Sequence, residues 1–245
     1  MYEYYWLFFL LMIVCVAFAG RASAKVNATF DAYKDLGTSS KMTGYDTAVR
    51  LLKNNGVNDI AVQKVSGKLT DHYHPTKKAV NLSQSTYGND SVAAVAVAAH
   101  EVGHVLQRKT GYIPYKIRQI LVPITNIGSR LALPLVLFGL ILDLFVLGAS
   151  ESNFGFYVAL VGVVAYGLST LFALVTLPVE FNASARAKRM LLEEGIITED
   201  ELPYVEDMLG AAARTYVASL LTSLVLFLRF ALWVFMLFGG RRRRK

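Results

Sequence analysis

Hydrophobic positions in this chain fall into long runs separated by polar stretches. Residues 5–20, 131–148, 154–177 and 217–238 are apolar over lengths that approach or exceed the about 20 residues needed to cross a bilayer. Residues 25–115 follow a different rule. There Thr43 opens an amphipathic helix whose stripe is Tyr45, Ala48, Val49, Leu51 and Leu52, and Asn54-Asn55-Gly56 stops it. Residues 60–65 and 78–82 read as short strands joined by residues 67–77. An alanine-rich helix is expected over residues 91–109, with Ser91 as N-cap and Gly111 closing its end. Residues 113–130 are mixed and read as interfacial. The second and third apolar runs flank a brief polar turn at Glu151 and Asn153, which predicts a transmembrane hairpin. Pro178 then marks a break or a first-turn proline before a helix over residues 179–194 ended by Gly195, followed by a helix over residues 206–218. Arg229 interrupts the last apolar run, so that run is expected to be tilted, broken or interfacial.

Composition sharpens this picture. With 54% hydrophobic and only 18% charged residues, the chain is too apolar for an ordinary soluble domain and reads as an integral membrane protein. The first run resembles a signal peptide in length, and Ala22-Ser23-Ala24 has a small-x-small form. Its leader carries Glu3 and no basic residue, however, so an uncleaved anchor is expected. The net charge of +7 includes the terminal cluster Arg241 to Lys245, which suits anionic lipid headgroups, and no nucleic-acid motif accompanies it. Cys15 is the only cysteine, which excludes intrachain disulfides and a thiolate-held metal.

The chemistry lies in His100-Glu101-Val102-Gly103-His104. Four residues apart on a helix, the two histidines point the same way with Glu101 beside them. This is the H-E-x-x-H pattern of zinc hydrolases: two neutral imidazoles hold one Zn²⁺ and the carboxylate takes a proton from its water. The strand at 78–82 directly precedes this helix, where an edge strand would pair with a substrate backbone. A catalytic zinc wants three protein ligands, and the extended motif fails because Gln107 and Thr110 stand where a glycine and a histidine are required. The hairpin returns the chain to the motif's side, and the first acid after the return is Glu180. Its helix face continues through the small residues Ala183, Ser184 and Ala187, matching Ala96, Ala99 and Gly103 on the motif helix. Glu180 is therefore the expected third ligand, with Ser184 a candidate hydrogen-bond partner of a ligating imidazole. Arg186 is expected to face solvent or headgroups, or to steady a carboxylate. In the loop 69–75, Asp71, His72, Tyr73 and His74 form a second cluster, of which His72 and Tyr73 are candidate oxyanion donors.

The runs Gly67-Lys68-Leu69-Thr70-Asp71-His72-Tyr73, residues 98–107 and Leu177-Pro178-Val179-Glu180-Phe181-Asn182-Ala183-Ser184 together resemble the bacterial neutral zinc metallopeptidases of the YugP type. The resemblance covers nearly the whole chain. It implies a membrane-bound zinc peptidase with His100 and His104 as ligands and Glu101 as acid and base. More distantly, the layout is similar to the membrane heat-shock and prenyl-protein proteases, in which a glutamate after a transmembrane hairpin is the third ligand. That group has an aspartate one turn further on, where this chain has Ser184, and His74 stands where the nearer family would have an aspartate.

The expected fold is thus a mainly α membrane protein with a small α+β zincin-like metallopeptidase domain and a transmembrane hairpin between the two metal-binding helices. The expected segments are an anchor (1–24), the zincin-like domain (25–118), an interfacial segment and hairpin (119–178), the glutamate helix and its successor (179–216), and an apolar segment with a basic tail (217–245). The expected activity is peptide-bond hydrolysis with one Zn²⁺ per chain, on protein or peptide substrates at the lipid bilayer of the bacterial cell membrane. The alternative class is a catalytically silent zinc-binding membrane adaptor, and a zinc hydrolase acting on other bonds would share all these residues. Arg21, Lys25, Arg108, Lys109, Lys116 and Arg118 lie near the segment ends on the catalytic side, which by the positive-inside rule predicts a cytoplasmic site. The terminal basic cluster opposes this if the last segment spans.

Overall fold

A computed structural model describes residues 2–142 and 153–242. The expected turn around Glu151, the end of the second apolar run and residues 243–245 lie outside them. The elements in chain order are α1 (Tyr2–Tyr33), α2 (Gly44–Asn54), β1 (Ala61–Val65), β2 (His72–His74), β3 (Ala79–Ser83), α3 (Gln84–Tyr87), α4 (Val92–Lys109), α5 (Ile113–Ile141), α6 (Phe154–Glu193) and α7 (Leu202–Arg242). Four of these helices contain stretches long and apolar enough to cross a membrane: Trp6–Tyr33, Ile113–Ile141, Phe154–Glu193 and Leu202–Met236. The chain divides into two compact units. One comprises Met1–Ala19, Ile117–Thr176 and Val217–Lys245, and the other Gly20–Lys116 and Leu177–Tyr216.

The first unit is helical and apolar outside as well as inside. Phe138, Val161 and Val164 all face outward, as side chains surrounded by hydrocarbon do. Within it α5 and α6 meet through small residues: Gly139 lies against Gly155 and Ala159, Gly162 against Ala132 and Val136, and Gly128 against Ala165. Glycine at these points lets backbones approach closely where no water is available to drive association. Thr170 on α6 and Ser223 on α7 share a hydroxyl hydrogen bond of 2.9 Å.

The second unit is built on local signals that are nearly all present. Thr43 caps α2 with a full capping box, its hydroxyl accepting from Asp46 N–H (3.2 Å) and the Asp46 carboxylate accepting from Thr43 N–H (3.1 Å), a motif worth about 1 kcal/mol. Ser91 caps α4 through Ala94 N–H (3.2 Å), and Gly111 takes a left-handed φ of 67° just past its end. The sheet order is β1-β3-β2, with β3 parallel to β1 and antiparallel to β2. All of β3 is buried, and Val80 and Leu82 pack with α2, α4 and the 187–209 region in one core.

Three expectations give way. The strand before the motif helix is central, because residues 72–74 of the supposed loop pair with its far side, so the edge strands are β1 and β2. No break occurs at Pro178: α6 is continuous from Phe154 to Glu193, and Glu180 is in its interior. A proline removes one N–H from a helix, but helices packed among apolar neighbours carry the loss, as α5 does at Pro123 and Pro134. The helix expected at 206–218 and the last apolar run form one helix, α7, unbroken at Arg229.

Candidate metal centre

Helix α4 places His100 and His104 on one face, their rings 4.8 Å apart and nearly perpendicular. The carboxylate of Glu180 on α6 meets both. Its Oε2 lies 3.1 Å from His100 Nε2 and 3.6 Å from His104 Nε2. The candidate ligand atoms of the three residues all lie within 4.8 Å of one another, and Glu180 is only 2% exposed. The close approach of the two helices makes this possible. A Cβ placed on Gly103 would stand 2.7 Å from the carbonyl oxygen of Ala183, so any larger residue would push α6 away. Ala96, Ala99, Ala183 and Ala187 are fully buried around that contact.

The far side of each ring is also engaged. His104 Nδ1 is 3.0 Å from Gln107 Oε1, while Gln107 Nε2 donates to the backbone carbonyl of Val179 (2.7 Å) and to Asn182 Oδ1 (3.1 Å). Those two acceptors fix which end of the amide is which. The Gln107 oxygen must face the ring, so Nδ1 carries the proton and the lone pair is on Nε2, toward Glu180. For His100 the partner of Nδ1 is the Ser184 hydroxyl, at 3.2 Å, whose oxygen can accept a hydrogen bond from Nδ1–H in the same way. Two imidazoles with unprotonated Nε2 atoms converging on a buried carboxylate form a donor set that fits Zn²⁺ and leaves a coordination position open.

Glu101 is buried beside this cluster, and one of its oxygens, Oε2, accepts the backbone N–H of Tyr73 on β2 (2.8 Å). Burial pushes its carboxyl up to about 7; His100 opposes the rise, as does the Tyr73 N–H, while Glu180 and Asp71 add to it. Such a group can both take and give a proton near neutrality. Asp71 anchors the loop leading into β2 by accepting from Ser83 N–H (2.7 Å) and Ser83 hydroxyl (2.9 Å).

Other candidates from the sequence are occupied differently. His72 Nδ1 donates to Thr70 carbonyl (2.8 Å) and its Nε2 accepts from Asn81 (3.2 Å), so neither nitrogen is left to donate to an oxyanion. The Tyr73 hydroxyl accepts from Arg108 (3.1 Å), and its ring lines a separate cavity with Lys78, Arg108 and Lys109. His74 Nδ1 accepts from Lys77 N–H in the turn after β2. Arg186 binds Asn182 Oδ1 (2.9 Å) and so touches the Gln107 network rather than Glu180. Sequence alone does not mark Gln107 as the partner of His104, or Asn182 as the partner of Gln107. Their only signal is a polar residue one turn beyond the second histidine of a buried helix, and that signal is weak without a known packing partner.

No solved structure matches the chain. It is 40% identical over 226 residues to a protein of Bacillus subtilis (strain 168) named "Putative membrane protease YugP", an alignment that covers 92% of this chain and 96% of the relative. Residues 8–235 match the family described as "Putative neutral zinc metallopeptidase", and the chain belongs to that family.

Proposed function

We propose that this protein is a membrane-bound zinc metalloendopeptidase that hydrolyses peptide bonds in membrane-associated proteins or peptides. The reading rests on one observation above the others: the buried Glu180 carboxylate faces the Nε2 atoms of both His100 and His104, at 3.1 and 3.6 Å. His100, His104 and Glu180 would hold the zinc, which would supply Lewis acidity toward a substrate carbonyl and a water. The chain's own groups do the rest. Glu101 takes a proton from the attacking water and returns it to the leaving amine nitrogen, so one C–N bond breaks, one C–O bond forms, and the base is regenerated. The Tyr73 N–H holds one Glu101 oxygen, which leaves the other free to move the proton. Gln107 and Ser184 keep the imidazoles in the ligating tautomer.

In this reading, residues 25–118 form a zincin-like domain completed by residues 179–216. Residues 1–24 anchor it, residues 119–178 contain the transmembrane hairpin, and residues 217–245 end in a tail that binds anionic headgroups. The site faces the cytoplasm, as the basic residues flanking the segments suggest. Reporter fusions within residues 25–115 and at the C-terminus would read the two sides separately.

The test is bound metal together with cleavage of a casein-like substrate. Wild type is expected to carry about one zinc per chain and to cleave. Glu180→Ala loses the metal, whereas Glu101→Gln keeps it and does not cleave. Equal cleavage by Glu101→Gln, the outcome for a zinc-binding adaptor with a contaminating protease, would overturn the mechanism. Unchanged metal retention by Glu180→Ala would overturn the ligand set.

A further inference from the structure

His100 and Glu101 form one end of a cavity of about 420 Å³, which continues between α1, the loop before β2, α4 and α7. Beyond the two motif residues its apolar lining is Val26, Leu69, Val97, Met208, Leu209 and Ala212, and polar side chains make up the rest. These are not leftover surface. Between Val92 and Ala99 of α4 every side chain is buried except Val97, which stands one turn before His100 and lines the cavity. Met208 and Leu209 are almost wholly buried and form a firm apolar floor. Leu69 is held at φ 54°, a left-handed backbone that a branched side chain adopts only at a conformational cost, and there it lines the wall.

Most polar side chains of the lining already have partners. Lys68 is paired with Asp31 (2.8 Å), Asp71 with Ser83, Asn27 with the Ser23 carbonyl (3.1 Å) and Thr215 with the Ala212 carbonyl (2.7 Å). A charged residue entering this space would lose water and find few free partners, whereas an apolar one would lose nothing. The volume is well above the about 150 Å³ that accommodates benzene, so a large side chain fits together with adjoining backbone.

We infer that this cavity is the specificity pocket of the proposed peptidase, and that it selects a large apolar side chain, of the leucine, methionine or phenylalanine class, next to the scissile bond. The inference rests on the peptidase reading, and Ala212, a small residue of the lining, is where a larger side chain would take up pocket space. Cleavage and binding test it separately. In cleavage of a mixed peptide library, zinc-loaded wild type should prefer a large apolar residue on one side of the cut at least tenfold over aspartate or lysine. Ala212→Phe should shift that preference at least tenfold toward alanine and glycine with unchanged zinc content. In binding, Glu101→Gln protein should hold acetyl-Ala-Phe-Ala-amide at least ten times more tightly than acetyl-Ala-Asp-Ala-amide, and Ala212→Phe added to it should abolish the difference. Cleavage without side-chain preference, or a preference unmoved by Ala212→Phe, overturns the pocket and leaves the peptidase standing. Selective binding by a zinc-loaded wild type that cleaves no peptide keeps the pocket and overturns the peptidase.

Discussion

The two helices that build the candidate metal centre differ in how they reach it. Helix α4 is 18 residues long, has its own N-cap, and supplies two imidazoles by a spacing that any helix would honour. Helix α6 is 40 residues long, carries apolar residues all round over most of its length, and supplies one carboxylate from a position that no local rule marks. The pair on α4 is set by helical geometry alone. The carboxylate on α6 is set by tertiary packing, and its accuracy depends on the Gly103 to Ala183 contact and on the Gln107 bridge to Val179 and Asn182.

The largest effect should come from a lesion confined to α4's chemistry. Glu101→Gln is expected to lower kcat by about 10²- to 10⁴-fold, with zinc content and unfolding temperature unchanged, because only proton transfer is lost. A lesion between the helices should do the reverse. Gly103→Leu leaves every ligand in place but drives a side chain into the Ala183 carbonyl, so a loss of about 1–3 kcal/mol of stability and a fall in zinc affinity are expected in thermal unfolding and metal titration. Unimpaired zinc binding in this variant would mean that α6 does not need to lie so close. Gln107→Ala should weaken zinc binding by about 10- to 100-fold through loss of the His104 tautomer, and Gln107→Glu, which restores an acceptor for Nδ1, should recover part of it. The smallest change is expected for Ser184→Ala, at about tenfold or less in zinc affinity, since water can replace a hydroxyl at the partly exposed His100 ring.

The same contrast explains what was legible in the sequence. Thr43, Ser91 and Gly111 announced the ends of α2 and α4 because capping is a local hydrogen-bond requirement, and the H-E-x-x-H spacing announced its own face. Glu180 was reachable only by following the chain through the apolar runs and matching small faces, a tertiary argument. Sequence alone puts it at a helix start because of Pro178, whereas packing overrides that signal and it lies in a helix interior. Strand β2 was missed because His72-Tyr73-His74 is short, polar and followed by proline. It is a strand only because β3 offers it a partner. The role of Gln107 required knowing that Val179 and Asn182 lie opposite it.

Helix α1 crosses the limits that its sequence suggests. It runs without interruption from the apolar leader to Tyr33, buries Ala22, and brings Val26 and Asn27 to the cavity beside His100 and Glu101. Trimming the leader after Ala24 would remove Ser23, which lines that cavity, and leave a new chain end at Lys25, next to Val26. Assays and inhibitor screens on this protein therefore call for the intact polypeptide in detergent micelles or nanodiscs, where the pocket keeps all its sides.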